Sequence, residues 1–353
     1  MASPHAPGPP RSPGRALAEA RLIGWLGVGG LLMGGIVGLV RGASIGPGYL
    51  VVALVKGAVL GGSLAAMLGG LEQIVLHRLW RRLALGWAIL LRAALYAPIT
   101  VVVYLAVSAA FSPWIPWRLQ VPMILPSLAI AAVALLAGSA VLALARLLGL
   151  RVLVNLLSGR YRRPFEEERI FLFLDLVGST TTAERIGHLS YHAFLRDFIE
   201  DLEDPLLEHG GDVYQYVGDE VVVTWLVADA RSNARCLACH FAIVDAIARA
   251  RRRYEGAYGA VPTFRSGIHC GRVVAGEIGE QRKQIVFVGD VVNTASRAQA
   301  EAKARGMDLV ISGALLARIE LPPGVQTRPL GAVRPRGKEQ ALDLFEVVRR
   351  AAA

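Results

Sequence analysis

Apolar and polar positions divide the chain into two unlike parts. Four long apolar runs come first, at 22–40, 49–71, 83–111 and 121–148. Each reaches the roughly 20 residues that a helix needs to cross a bilayer. The pattern predicts an α-helical four-span membrane domain over 21–148, behind a Pro/Gly-rich tail at 1–20 that is expected to be disordered. A juxtamembrane linker, GLRVLVNLLSGRYRRPFEEE, occupies 149–168. Strand and helix patterns then alternate through a domain at 169–350. Strands are expected at 170–176, 212–216, 220–225, 263–270, 272–277, 284–288 and 342–348. Helices are expected at 180–186, 190–209, 228–254 and 291–305. The hairpin signals favour an α/β domain on an antiparallel-leaning sheet over a doubly wound one.

Composition strengthens this division. Of 353 residues, 54% are hydrophobic and 19% charged, against about 25% charged in ordinary soluble chains. A wholly soluble, disordered or collagenous protein is excluded. The net charge of +10 would suit nucleic acid, but it is unevenly spread. Residues 1–163 hold 15 Lys and Arg against 2 Asp and Glu, and the rest hold 23 against 26. The arginines flank the apolar runs: Arg11, Arg15 and Arg21, then Arg78, Arg81 and Arg82, then Arg146, Arg151, Arg160, Arg162 and Arg163. Counted by the positive-inside rule, they place both termini in the cytoplasm, with Trp114 and Trp117 in an outer loop. The basic junction meets anionic membrane lipids, couples the spans to the second domain, or does both, and no nucleic-acid partner is implied. Lys56 and Arg92 fall inside spans, where a charge either serves a function or snorkels and packs. Gly30, Gly34 and Gly38, like Gly57 and Gly61, recur every four residues and allow close helix contact. Three cysteines, Cys236, Cys239 and Cys270, make no disulfide framework.

The candidate chemistry lies in the second half. Asp175 ends an otherwise apolar strand, and Asp219 sits in a turn between two strands. If those strands are neighbours, the two carboxylates converge at one sheet edge and suit hard ions such as Mg²⁺ or Mn²⁺. Directly after Asp175, the segment Leu176, Val177, Gly178, Ser179 and Thr180 opens a helix whose backbone N–H groups can hold phosphate. Carboxylates, divalent ions and a phosphate cradle together describe two-metal phosphoryl transfer. Asn293 and Arg297, four apart, share one helix face.

In this order the motifs resemble the class III nucleotidyl cyclases. FLFLDLVGST and YQYVGDEVVVTW are similar to that family's two metal-binding segments. FRSGIHCGRVVAGEIG resembles its next strand pair, VGDVVNTASR its ribose and transition-state helix, and RGKEQALDLFEV its closing segment. With four spans ahead of it, the chain resembles bacterial membrane-anchored adenylate cyclases. The resemblance implies a ferredoxin-like, palm-type catalytic domain in a multi-pass protein of the inner membrane. It also implies a homodimer with shared sites, making 3′,5′-cyclic AMP and pyrophosphate from ATP. Asp175 and Asp219 would bind two Mg²⁺ or Mn²⁺ ions per site. The backbone from Leu176 to Thr180 would hold the triphosphate, and Lys338 the β,γ-phosphates. Asn293 would orient the ribose, and Arg297 would stabilise the pentavalent α-phosphate.

Gln215 and Val286 stand at the family's base-selecting positions and depart from its usual residues. Gln215 still offers an amide to a purine edge; Val286 does not. The guanylate-type pair is absent, which favours ATP over GTP. The alternatives are a guanylate cyclase, or a membrane receptor whose cyclase-like domain binds nucleotide without turnover. Three weaker signals favour bland readings. Val217-Gly-Asp-Glu-Val resembles a diguanylate cyclase signature that lacks its first Gly. Cys236-Leu-Ala-Cys239-His240 matches a haem-attachment spacing but falls inside a helix. Arg249 to Arg253 suits a solvated helix end.

Overall fold

The computed structural model describes residues 13–45, 50–71, 85–111, 159–280, 283–333 and 342–350, with single positions at 126, 129, 130 and 133. The chain divides into two compact units, one of Ala16–Leu153 and one of Val154–Ala353 with which Met1–Arg15 is grouped.

The first unit is helical: α1 (Pro13–Ile45), α2 (Leu50–Leu71) and α3 (Leu85–Phe111). Helix α1 begins inside the stretch expected to be a disordered tail. Proline is favoured in the first helical turn, and the Ala, Leu, Glu and Arg that follow are strong helix formers. Among the described residues, two helices have stretches long and apolar enough to cross a membrane, Leu50–Met67 and Ala94–Phe111; the apolar part of α1, Gly27–Val40, is shorter. All of the fourth run but positions 126, 129, 130 and 133, and the arginines at 78–82 and 146–151, lie outside the described residues, as do Trp114 and Trp117. Large side chains such as Leu32, Val40, Val51 and Val102 stand exposed on these helices, as expected where lipid rather than water is the solvent.

The glycine spacing is used within the chain. A Cβ on Gly30 would collide with the Gly61 carbonyl, one on Gly34 with that of Gly57, and one on Gly38 with that of Ala53. The backbones of α1 and α2 therefore meet directly. The Lys56 ammonium lies over the Tyr104 ring, 5.7 Å from its centroid. The Arg92 side chain lies outside the described residues.

The second unit is one mixed sheet with helices on both faces. Its strands are β1 (Phe165–Leu176), β2 (Asp212–Val217), β3 (Glu220–Leu226), β4 (Phe264–Ile278), β5 (Gln284–Val288), β6 (Leu309–Ser312), β7 (Val325–Val333) and β8 (Leu342–Arg349). The order is β2-β3-β1-β4-β6-β8-β7, with β5 paired to β4. Among the described pairings only β4 with β6 is parallel. The helices are α4 (Ser179–Ile186), α5 (His188–Glu208), α6 (Ala230–Asn233), α7 (Arg235–Tyr258), α8 (Asp290–Arg305) and α9 (Gly313–Leu316).

Strand β1 has no polar face because both its faces are covered. Ile170, Leu172, Leu174 and Leu176 pack in a core with Phe194 and Phe198 of α5 and Leu237 and Ile243 of α7. Phe171 and Phe173 pack on the opposite side with Val291 and Ala295 of α8. The two-residue period of a strand thus sends Asp175 to the α8 side.

Three boundaries differ from the sequence expectation. Strand β1 starts at Phe165, so Glu166 to Glu168 belong to the sheet rather than to a linker; they pair in register with Val274, Val273 and Arg272. The strands expected at 263–270 and 272–277 are one strand, β4. Gly271 between them is not a turn: a Cβ there would stand 2.7 Å from Val291 Cγ2, so the glycine admits α8. The helix expected from 228 starts in earnest at Arg235. Ahead of it, the Asn233 amide bonds the Ala228 N–H and C=O and the Arg318 carbonyl, which fixes the chain in a short α6.

Candidate active site

Asp175 closes β1, and its register partner on β3 is Glu220. Asp219 lies in the tight β2–β3 turn, where Gly218 takes the left-handed conformation at φ 65° that the turn demands. The sheet therefore gathers Asp175, Asp219 and Glu220 at one edge. Burial pushes the Glu220 carboxyl above its usual pKa, and the charges of Asp175 and Asp219 push it further. The Tyr191 phenol of α5 is likewise raised, first by burial and then by Asp219, so it stays protonated.

The backbone after Asp175 turns sharply. Gly178, at φ 68°, precedes α4. The Val177 amide donates to the Thr263 carbonyl at 2.8 Å, and Thr182 N–H donates to Gly178 O at 2.9 Å. Val177 is therefore already bonded, and Ser179, Thr180 and Thr181 carry the first-turn N–H groups without an intrahelical partner.

Helix α8 approaches the same edge. Gln299 Nε2 donates to Asp175 Oδ2 at 3.3 Å, and Lys303 Nζ donates to the same oxygen at 2.5 Å. This contact raises the Lys303 pKa. The helix sits this close because β4 has glycine beneath it: a Cβ on Gly267 would collide with the Gln299 backbone.

Asn293 and Arg297 look elsewhere. At 3.6 residues per turn they lie roughly 80–160° around the axis from Gln299 and Lys303, and Asn293 is about 15 Å along the helix from Lys303. Asn293 is exposed. Arg297 keeps a buried guanidinium nitrogen, Nη1, with no hydrogen-bond partner. One chain thus brings its two aspartates together and does not bring Asn293 or Arg297 onto them. Gln215 is half-buried on β2 beside a register shift, and Val286 is half-buried on β5 opposite Gly276. The rings of their neighbours Tyr214 and Phe287 approach to 5.0 Å, so the two strands converge on the α8 side. Lys338 lies outside the described residues.

Sequence reasoning missed Glu220, Gln299, Lys303 and Tyr191. A signal existed for Gln299, which interrupts the buried Ala295, Ala298 and Ala302 stripe of α8; a polar residue there needs a partner.

The acidic edge fits a hard divalent cation. Burial raises the Glu220 pKa first, and the neighbouring Asp175 and Asp219 charges add to it; the same crowded charge draws in the Lys303 ammonium, which marks a place where positive charge is stabilising. Among the described residues no cluster of three or more His, Cys, Asp or Glu forms a complete ligand cage. Two carboxylates completed by phosphate oxygens and water are the usual arrangement for Mg²⁺.

The mixed sheet thus sets an acidic edge beside the N-terminus of α4. The chain belongs to the family of adenylate and guanylate cyclase catalytic domains, whose pattern matches residues 163–344. It is 38% identical over 226 residues to adenylate cyclase 2 of Rhizobium meliloti (strain 1021), covering 63% of this chain and 62% of that one. It is 30% identical over 185 residues to an adenylate cyclase of Anabaena cylindrica, covering 50% and 36%. The matches thus span less than two thirds of these relatives' length. The fold is also that of a bacterial light-regulated adenylyl cyclase, with a TM-score of 0.52 at 18% identity over 64% of each chain.

Proposed function

We propose that the chain is a membrane-bound adenylate cyclase that forms 3′,5′-cyclic AMP and pyrophosphate from ATP. The observation that carries this reading is the convergence of Asp175 and Asp219 beside the first-turn amides of α4. The relatives' names support ATP as substrate.

In this reading Asp175 and Asp219 hold two Mg²⁺ or Mn²⁺ ions, which neutralise phosphate charge and acidify the ribose 3′-OH. The Ser179 and Thr180 amides bind the triphosphate, and Lys338 takes its β,γ end. Asn293 holds the ribose so that its 3′-oxygen lies in line with the α-phosphorus. Arg297 bonds the α-phosphate oxygens as negative charge gathers there. The 3′-oxygen forms its bond to phosphorus, the bond to the β-phosphate oxygen breaks, pyrophosphate leaves, and the 3′ proton passes to solvent. Catalysis rests on positioning and fixed charge. Gln215 meets the base through its amide, with backbone near Val286 completing recognition.

The placement of Asn293 and Arg297 away from the aspartates of their own chain supports a site shared across a homodimer: each chain supplies aspartates to one site and the Asn/Arg pair to the other. The apolar runs support four spans in the inner membrane with both termini cytoplasmic, and the basic junction, 160–163, contacts lipid headgroups.

The test is full-length protein in detergent or lipid discs, given Mn²⁺ with ATP or GTP. Cyclic AMP is expected from ATP, with loss of at least about 100-fold in Asp175→Ala. Cyclic GMP from GTP alone would make the protein a guanylate cyclase. No product from either nucleotide, with the dimer verified, would leave a receptor with an inactive domain.

A further inference from the structure

We propose that Lys303 is a built-in counter-cation for Asp175, which a divalent ion must displace to enter the site. The inference rests on the reading of Asp175 as a metal ligand. Lys303 Nζ and Gln299 Nε2 converge on one oxygen, Asp175 Oδ2, at 2.5 and 3.3 Å. The two donors differ in kind. Gln299 is neutral, 5% exposed and fixed against the sheet, so it orients the carboxylate and can stay while an ion binds. Lys303 is a full positive charge on a flexible stem, with its side chain 52% exposed against 13% for Asp175. An ammonium and a divalent ion cannot share that oxygen without strong like-charge repulsion.

The rest of the edge explains why the lysine is there. Asp175, Asp219 and Glu220 repel one another, and Lys303 is the cation that lowers the Glu220 pKa against that repulsion. Without an ion, Lys303 holds the acidic edge together. With one, its charge is redundant there, and its exposed stem lets it swing into solvent. Lys303 is thus a positioning residue that sets how much metal is needed to load the site, whereas Gln299 positions in both states.

The experiment uses full-length protein without nucleotide and follows Mn²⁺ binding by electron paramagnetic resonance of the free ion. Lys303→Gln is expected to bind Mn²⁺ about threefold tighter, and at most about fivefold, since a half-exposed ion pair is worth no more. Lys303→Arg should stay near wild type, and the Lys303→Gln effect should vanish in an Asp175→Asn background. Melting gives a second readout: metal-free Lys303→Gln should melt lower than wild type and gain more from saturating Mn²⁺. Equal or weaker Mn²⁺ binding by Lys303→Gln, while wild type binds and Asp175→Asn does not, would overturn the counter-cation and leave the metal site standing. If neither wild type nor Lys303→Gln binds Mn²⁺, both readings fall.

Discussion

His240 shows how a motif residue can belong to the core. It lies on the buried face of α7 with Cys236 and Cys239, and its Nδ1 is 3.1 Å from Ser266 Oγ of β4. Burial holds its pKa down to about 3, and the Arg349 charge acts in the same direction. The unfolded chain, with an ordinary histidine pKa near 6.5, then binds the proton more readily than the folded one. Stability is therefore lost as pH falls below about 6.5, by about 2 kcal/mol at pH 5 from this group. Thermal melts of the solubilised protein at pH 7 and pH 5 should show a larger drop for wild type than for His240→Gln. Equal drops would remove His240 from the account. Asp175 was legible in sequence because it ends an apolar strand, and Asp219 because it sits in a tight turn between two strands. Glu220, Gln299 and Lys303 were not, since their meaning depends on which strand lies beside β1 and how closely α8 rests on the sheet.

Among the elements, α8 shows most clearly what pattern reading catches and what it misses. Its span was legible from periodicity, and its two roles were not. It packs on β4, β6 and β1 through small residues, Ala295, Ala298 and Ala302, over Gly267 and Gly271. In a sequence Gly271 looks like a break between two strands; in the fold it is the seat of a helix. Gly267→Ala adds one methyl where only the Ala298–Gln299 backbone can yield. It should destabilise the domain by about 2–3 kcal/mol and shift α8 away from Asp175. Hydrogen exchange at the α8 amides should rise in that variant; unchanged protection would refute the seating. Strand β1 was expected to start at 170 because Glu166 to Glu168 look like linker. Their pairing with β4 is a tertiary contact that no local pattern carries.

For the molecule as a whole, the charge balance changes across residue 163 and the compact units part at Leu153 and Val154, both within or beside the stretch at 149–168. Shared catalysis is also decided at this scale. Asp175→Ala and Arg297→Ala should each be inactive alone, and co-expressed they should recover about a quarter of wild-type activity. Half of randomly paired dimers are mixed, and each mixed dimer keeps one of its two symmetric sites. No recovery despite isolated mixed dimers would place the whole site in one chain. The four-residue spacing of the glycines in the first two helices was legible, but not its use. Gly30, Gly34, Gly57 and Gly61 are spent on an intramolecular contact, backbone to backbone. Every single-base missense change in a glycine codon brings in a Cβ, so at these positions the genetic code offers no neighbouring codon that fits. A stretch that looks like interchangeable greasy filler should therefore be as intolerant of random mutation as the nucleotide site itself.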